Sequence, residues 1–120
     1  MSKLLKKNFN LPDEKRPIAK GKVEVVKLDD LQVIRNTFEP GWRWSESIKP
    51  IAKTESCQVP HLLSLVSGRL AVRLDDGSMT EFGPGDVGVI PAGHDAWVVG
   101  DVPCVNLDFG GSKGYAKSAS

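Results

Sequence analysis

The stretch GPGDVGVIPAGHDAW, residues 83–97, places a short strand between two sharp turns. GPGD (83–86) combines residues that reverse the chain, and PAG (91–93) forms a second corner. The residues between the corners are rich in valine and isoleucine, so a strand is predicted over 86–91. A second strand is predicted after the PAG corner, over 95–100. Each corner is expected to join strands that are antiparallel neighbours.

Similar segments fill most of the remaining chain. Strands are predicted over 23–28, 31–38, 61–67, 69–75, 78–82 and 104–109. An Asp-Gly hairpin signal joins the fourth and fifth of these segments. Short strands at this spacing are typical of an all-β sandwich or barrel. The predicted organisation is an irregular basic N-terminal arm (1–22), a β-barrel (23–110) and a flexible C-terminal tail (111–120).

Composition limits the classes of function. The 120 residues fit one domain, and a net charge of +1 argues against a protein that coats nucleic acid or an anionic membrane. The sequence has no apolar stretch of signal-peptide or membrane-spanning length, so a cytoplasmic location is expected. In that compartment Cys57 and Cys104 are expected to be free thiols.

Two parts of the chain resemble the conserved motifs of a known family. GPGDVGVIPAG resembles the second motif of the cupins, in which Pro-x-Gly follows a glycine and precedes a histidine, and the histidine position falls on Ala96. The first cupin motif reads His-x-His, three residues, Glu, six residues, Gly. Its ligand positions fall on Glu55, Cys57 and His61, and its glycine falls on Gly68. The resemblance covers roughly residues 35 to 109.

The resemblance implies a jelly-roll barrel, the double-stranded β-helix. It also implies, as in many cupins, a divalent transition metal inside the barrel. Glu55, Cys57 and His61 carry carboxylate, thiolate and imidazole donors that bind such metals, whereas Ala96 cannot. His94 could supply the missing ligand if the corner before it bends inward. The candidate metal ligands are therefore Glu55, Cys57, His61 and His94, for zinc, iron or manganese.

A metal-free pocket is the alternative interpretation. Glu55 would then be a solvated loop charge, Cys57 a small buried hydrophobic residue and His61 a hydrogen-bonded pocket residue. Asp108 is interpreted as a strand-end charge rather than as part of an acid/base pair. Trp42 and Trp44 are expected on one face of an extended segment, in a ligand pocket or in a packing interface.

Two functions remain open from the sequence. In the first, the barrel binds a small polar metabolite, with or without a divalent metal, and catalyses a dioxygenase- or isomerase-type reaction. In the second, it is a non-catalytic sensor or accessory binding module with a degenerate, metal-free site. The predicted ligand pocket contains Trp44, Cys57, His61, His94 and Ala96. A homodimer formed through an edge strand and the N-terminal arm is expected, whereas a membrane or nucleic-acid partner is not.

Overall fold

The computed structural model describes residues 4–49, 57 and 60–109. Within these residues the chain forms nine strands and one short helix. In chain order they are β1 (Glu14–Ile18), β2 (Gly21–Leu28), β3 (Leu31–Phe38), α1 (Trp44–Ser47), β4 (His61–Ser67), β5 (Leu70–Leu74), β6 (Met79–Phe82), β7 (Val87–Ile90), β8 (His94–Val98) and β9 (Cys104–Asp108). The all-β prediction is confirmed.

The strands form two antiparallel sheets that enclose a common core. The larger sheet has the order β1-β2-β3-β9-β4-β7, and the smaller sheet has the order β6-β5-β8. The core between them contains the buried side chains Ile34, Leu63, Leu65, Val72 and Ile90. No helix in the described part of the chain has the length and apolar character needed to cross a membrane.

Two of the predicted corners connect different sheets, which corrects the expectation that each corner joins neighbouring strands. GPGD (83–86) leads from β6 in the smaller sheet to β7 in the larger one, and PAG (91–93) leads from β7 back to β8. Of these three predicted turns, the Asp-Gly hairpin alone joins paired strands, β5 and β6. A jelly roll alternates between its sheets in this way, and turn chemistry alone does not distinguish such a crossing from a hairpin.

The N-terminal region contains a strand where an irregular arm is predicted. β1 pairs with β2 along its whole length, from Glu14 opposite Val25 to Ile18 opposite Gly21. Its sequence EKRPI has no apolar alternation, because β1 is an edge strand. Pro17 is compatible with that position, since an edge strand leaves some N–H positions without a partner strand.

The segment after Pro40 also differs from the prediction. Arg43 is extended and forms an isolated bridge with Trp97, but Trp44 starts the short helix α1 instead of continuing an extended segment. The guanidinium of Arg43 lies 4.5 Å from the centre of the Trp97 ring, which therefore lies outside the core. Trp42 and Trp44 are both buried, at 2% and 1% exposure.

Candidate functional site

Three buried side chains with metal-binding donor atoms meet inside the barrel. One donor atom from each of Cys57, His61 and His94 lies within 4.8 Å of the other two. The exposed fractions of these residues are 2%, 7% and 3%. Three such donors are the number that a protein commonly supplies when a metal keeps a position open for a ligand.

Backbone hydrogen bonds hold Cys57 beside the start of β8. The amide of Cys57 donates to the carbonyl of His94 at 2.7 Å, and the amide of Gly93 donates to the carbonyl of Cys57 at 2.7 Å. Gly93 has a φ of +87°, a conformation that glycine adopts without strain. The corner before β8 therefore fixes Cys57 and His94 relative to each other.

His61, the first residue of β4, is oriented by a carboxylate. Its Nδ1 donates a short hydrogen bond to Oδ2 of Asp108 on β9, and its Nε2 lies 3.7 Å from Sγ of Cys57. Asp108 is the last residue of β9, in agreement with its interpretation as a strand-end residue, but its side chain is fully buried and contacts His61. A ring held at Nδ1 by a carboxylate presents Nε2 as a ligand, which is the usual arrangement of metal-binding histidines.

His94 has the same arrangement with a different partner. Its Nδ1 donates to the carbonyl of Pro91 at 2.8 Å, which leaves Nε2 as the available nitrogen. Burial lowers the pKa of His94. The hydrogen bond to Pro91 raises this pKa, whereas the electrostatic interaction with His61 lowers it further. The neutral imidazole, the form that binds a metal, is therefore favoured. The two rings meet edge to face, with centroids 5.2 Å apart.

A small cavity adjoins this cluster. It has a volume of about 20 Å³, and its walls include His61 and His94. The other lining residues are Asn36, Phe38, Trp42, Trp44, Leu63, Leu70, Ile90 and Ala96. A space of this size holds about one oxygen atom. A larger surface groove of about 400 Å³ lies between β6 and β7, and among the described residues Ile90 alone lines both spaces.

Most of the predicted site residues lie together, as the sequence analysis expects. Trp44, His61, His94 and Ala96 line the cavity, and Cys57 contacts His61 beside it. Ala96 follows His94 on the inner face of β8 and brings only a methyl group to the cavity wall. Glu55, the fourth predicted ligand, lies outside the described residues.

The sequence analysis did not identify the polar residues that support the site. Asn36 and Asn106 are buried and joined by a hydrogen bond of 2.9 Å between their side chains. Asn106 and Asp108 share the inner face of β9 with Cys104, while Val105 and Leu107 point to the outer side. The available signal was the strict alternation of polar and apolar residues in CVNLD, but alternation does not indicate which face points inward.

The donor set fits a divalent transition metal. Thiolate and imidazole ligands suit zinc and iron(II), whereas manganese prefers oxygen donors. Both histidines have the hydrogen bond at Nδ1 that a metal-binding imidazole requires. The described residues therefore favour zinc or iron over manganese among the metals expected from the sequence.

The comparisons with known proteins support the fold. No protein-family model and no curated protein matches the sequence. A structure of unknown function from Rhizobium leguminosarum bv. viciae 3841 is 19% identical, with a TM-score of 0.64, and the alignment covers 90% of this chain and 98% of that one. KdgF from Halomonas sp. is 18% identical, with a TM-score of 0.57 and coverage of 79% and 82%.

A third similar structure belongs to a larger protein. The oxalate decarboxylase of Lactobacillus farciminis, solved as a formate complex, is 20% identical, with a TM-score of 0.59. The alignment covers 88% of this chain but only 31% of the decarboxylase. At these identities the similarity concerns the fold, which agrees with the two antiparallel sheets and with the sequence motifs. The chain therefore has the jelly-roll fold, the double-stranded β-helix, that the sequence motifs predict.

Proposed function

We propose that this protein binds a divalent metal ion through Cys57, His61 and His94 and uses it to bind a small polar metabolite inside the barrel. The observation that carries the proposal is the orientation of the two histidines. The Nδ1 atoms contact Asp108 and the carbonyl of Pro91, and this arrangement orients both rings with Nε2 as the ligand atom. The sulfur of Cys57 is the third donor in the same small volume.

The activity that best fits such a site is of the dioxygenase or isomerase type. Cys57, His61 and His94 would hold a zinc or iron ion, which would supply Lewis acidity toward an oxygen atom of the ligand. Asp108 holds the His61 ring in one tautomer and orientation. The indoles of Trp42 and Trp44 and the side chain of Ile90 keep bulk water away from the cluster, because all three are buried in the cavity wall.

A non-catalytic binding module is the second candidate function. Ala96 stands where the second cupin motif has a histidine, and the adjoining cavity of about 20 Å³ leaves room for only one oxygen atom. A protein of this kind would bind its ligand without turnover. Oxygen uptake and isomerase assays on metal-loaded protein distinguish the two candidates. Cytoplasmic location and a homodimer stay predictions.

Metal content per chain tests the proposal. Protein purified without a polyhistidine tag is measured by inductively coupled plasma mass spectrometry, beside the variants Cys57→Ala, His61→Ala and His94→Ala. Near-stoichiometric zinc or iron is expected in the unmodified protein and loss of it in each variant. Cys104→Ala is the matched control, because this second buried thiol lies outside the cluster and its pKa is raised by burial. No metal in the unmodified protein after reconstitution would overturn the proposal.

A further inference from the structure

Three polar side-chain atoms in the core have no hydrogen-bond partner. They are Oδ1 of Asn36 and the Nε1 atoms of Trp42 and Trp44. Among the described residues, these are the buried side-chain nitrogen and oxygen atoms that lack a hydrogen-bond partner. The three residues are only 3%, 2% and 1% exposed, so water outside the protein does not reach them. Buried polar groups nearly always have a partner, because an unsatisfied donor or acceptor destabilises the fold. A partner for these atoms is therefore expected.

All three residues line the same cavity. Asn36, Trp42 and Trp44 form part of the wall of the space of about 20 Å³ beside His61 and His94. One oxygen atom fits there. The cavity wall is held by its neighbours, since the Trp42 ring stacks on Phe38 with centroids 3.7 Å apart and planes 8° from parallel. The residues that carry the unpartnered atoms therefore line a preformed cavity next to the proposed metal ligands.

The numbers of donors and acceptors indicate what kind of oxygen fits. The indoles supply two N–H donors. Asn36 supplies an acceptor, because its Nδ2 already donates to Oδ1 of Asn106 at 2.9 Å. An oxygen that satisfies all three atoms must accept two hydrogen bonds and donate one. A hydroxyl group or a single water molecule does this, whereas a carboxylate or ketone oxygen has no proton to donate to Asn36.

We infer that the cavity is a hydroxyl-binding subsite and that the ligand is a small hydroxylated metabolite. The inference rests on the proposed function, because it concerns the same pocket. It adds that only the hydroxyl group enters the cavity, among Asn36, Trp42 and Trp44, while the rest of the ligand, with its second oxygen, lies outside it toward Cys57, His61 and His94. A small α-hydroxy acid has this pair of oxygens, and glycolate is the smallest probe of the class.

Nuclear magnetic resonance of the indole N–H groups tests the inference directly. The chain has three tryptophans, so three indole signals are expected, and Trp97 outside the core is the internal control. Glycolate is titrated into zinc-loaded protein and into chelator-treated protein, with acetate as the matched probe that lacks the hydroxyl. Glycolate is expected to shift the Trp42 and Trp44 signals but not that of Trp97, and to bind about tenfold more tightly than acetate.

A variant tests the role of the donor without removing the ring. Trp44→Phe keeps an aromatic side chain but has no N–H, so the preference for glycolate over acetate should fall several-fold. The titration of the unmodified protein decides the question if that variant does not fold. Equal responses to glycolate and acetate, or an ordered water that stays in the cavity of a glycolate-bound crystal structure, would overturn the inference.

The outcome for the metal is separate from the outcome for the hydroxyl subsite. Metal bound by the cluster with no indole response to glycolate would reject the subsite and leave the proposed function standing. An indole response to glycolate in protein that binds no metal would support the subsite and reject the proposed metal site.

Discussion

At the scale of single residues, the imidazole of His61 connects the two parts of the candidate site. Its Nδ1 contacts Asp108 on β9, and its Nε2 faces the thiol of Cys57. Asp108 is fully buried, and its carboxylate therefore interacts with the protein and not with bulk solvent. The function of this carboxylate is to fix the tautomer and the orientation of the ring.

Replacement of Asp108 by asparagine should weaken metal binding without removing a ligand. Loss of a carboxylate that orients a metal-binding histidine typically lowers metal affinity by about 10- to 100-fold. We expect a decrease of this size for Asp108→Asn, measured by competition with a chromophoric zinc chelator. Asp76→Asn is the control, because Asp76 is exposed and its carboxylate bonds only within its own turn, to Ser78. An unchanged affinity in Asp108→Asn would show that this carboxylate does not support the site.

The sequence analysis singled out the three clustered side chains but not the residues that support them. Motif spacing placed Cys57 and His61 in one pocket, and the corner before His94 suggested that it could join them. Asp108 could not be identified in this way, because its partner His61 lies 47 positions away in the sequence. Only the pairing of β4 with β9, which places Leu63 opposite Asp108, brings the two side chains together.

At the scale of elements, the turn between β4 and β5 depends on Gly68. This residue has a φ of +78°, and a Cβ atom added to it would lie 2.3 Å from the carbonyl oxygen of Pro103. The carbonyl group of Pro103 and the nearby Cα of Cys104 both belong to backbone, so neither moves without displacing β9 or the loop before it. The turn therefore requires glycine for its conformation and also for the close approach of the loop before β9.

Substitution of Gly68 by alanine should destabilise the fold more than the same change at Gly77. Gly77 has a φ of +95° but open space around it, so Gly77→Ala should lower the free energy of unfolding by about 1–2 kcal/mol through backbone strain. Gly68→Ala adds overpacking, which costs about 1–3 kcal/mol more. Urea unfolding of the two variants gives the comparison, and equal losses would show that the close approach to Pro103 is relaxed without cost.

Asp13, the residue before β1, accepts a hydrogen bond from Lys27 on β2, and this contact is expected to depend on pH. The backbone amide of Lys27 donates a hydrogen bond of 2.7 Å to the carboxylate of Asp13, and Nζ of Lys7 donates a second hydrogen bond of 2.8 Å to the same carboxylate. These two hydrogen bonds lower the pKa of Asp13. A lowered pKa in the folded state gives stability that is present above the pKa of the unfolded chain, about 3.9, and is lost as pH falls through the lower folded value.

Asp13→Asn should therefore reduce the free energy of unfolding at pH 7 and make no difference at a pH below the folded-state pKa of Asp13. The measurement is urea unfolding of both proteins across this pH range. Asp30→Asn is the control, since Asp30 is exposed in the turn between β2 and β3. A loss of stability in Asp13→Asn that is the same at every pH would contradict the assignment.

The positions of most strands could be predicted from the sequence, but their partners could not. The predicted strands over 31–38 and 61–67 agree with β3 and β4, because their β-branched residues and the turns around them are local signals. The pairing of β3 with β9 depends on how the chain crosses between the sheets, which no local signal encodes. β1 escaped prediction because a charged edge strand has no apolar face.

At the scale of the whole molecule, the outer face of the larger sheet is unusually apolar. Leu62 and Val66 on β4 are 42% and 50% exposed, and Val87 and Val89 on β7 are 65% and 75% exposed. Leu62 lies directly opposite Val89 in the β4–β7 pairing. Among the described residues β7 is also an edge strand, so an apolar surface and a sheet edge coincide. Such a combination is typical of an interface between protein chains.

The homodimer expected from the sequence should therefore form through this face, with a second copy of the chain as the partner. Val89→Lys should shift the protein from dimer to monomer in sedimentation equilibrium. Val102→Lys is the control, because Val102 is 56% exposed in the loop before β9 and not on this face. A monomeric unmodified protein, or a dimer that persists in Val89→Lys, would contradict the prediction.

The proposed function depends on one metal ion bound by a thiolate and by imidazoles inside the barrel, and substitution with cobalt(II) is the sharpest test of that site. A sulfur-to-cobalt charge-transfer band in the near ultraviolet reports a thiolate ligand, which in this chain is expected to be Cys57. Cobalt-loaded protein should show this band, Cys57→Ser should abolish it and Cys104→Ser should leave it unchanged. Absence of the band, or its persistence in Cys57→Ser, would rule out a metal bound by Cys57.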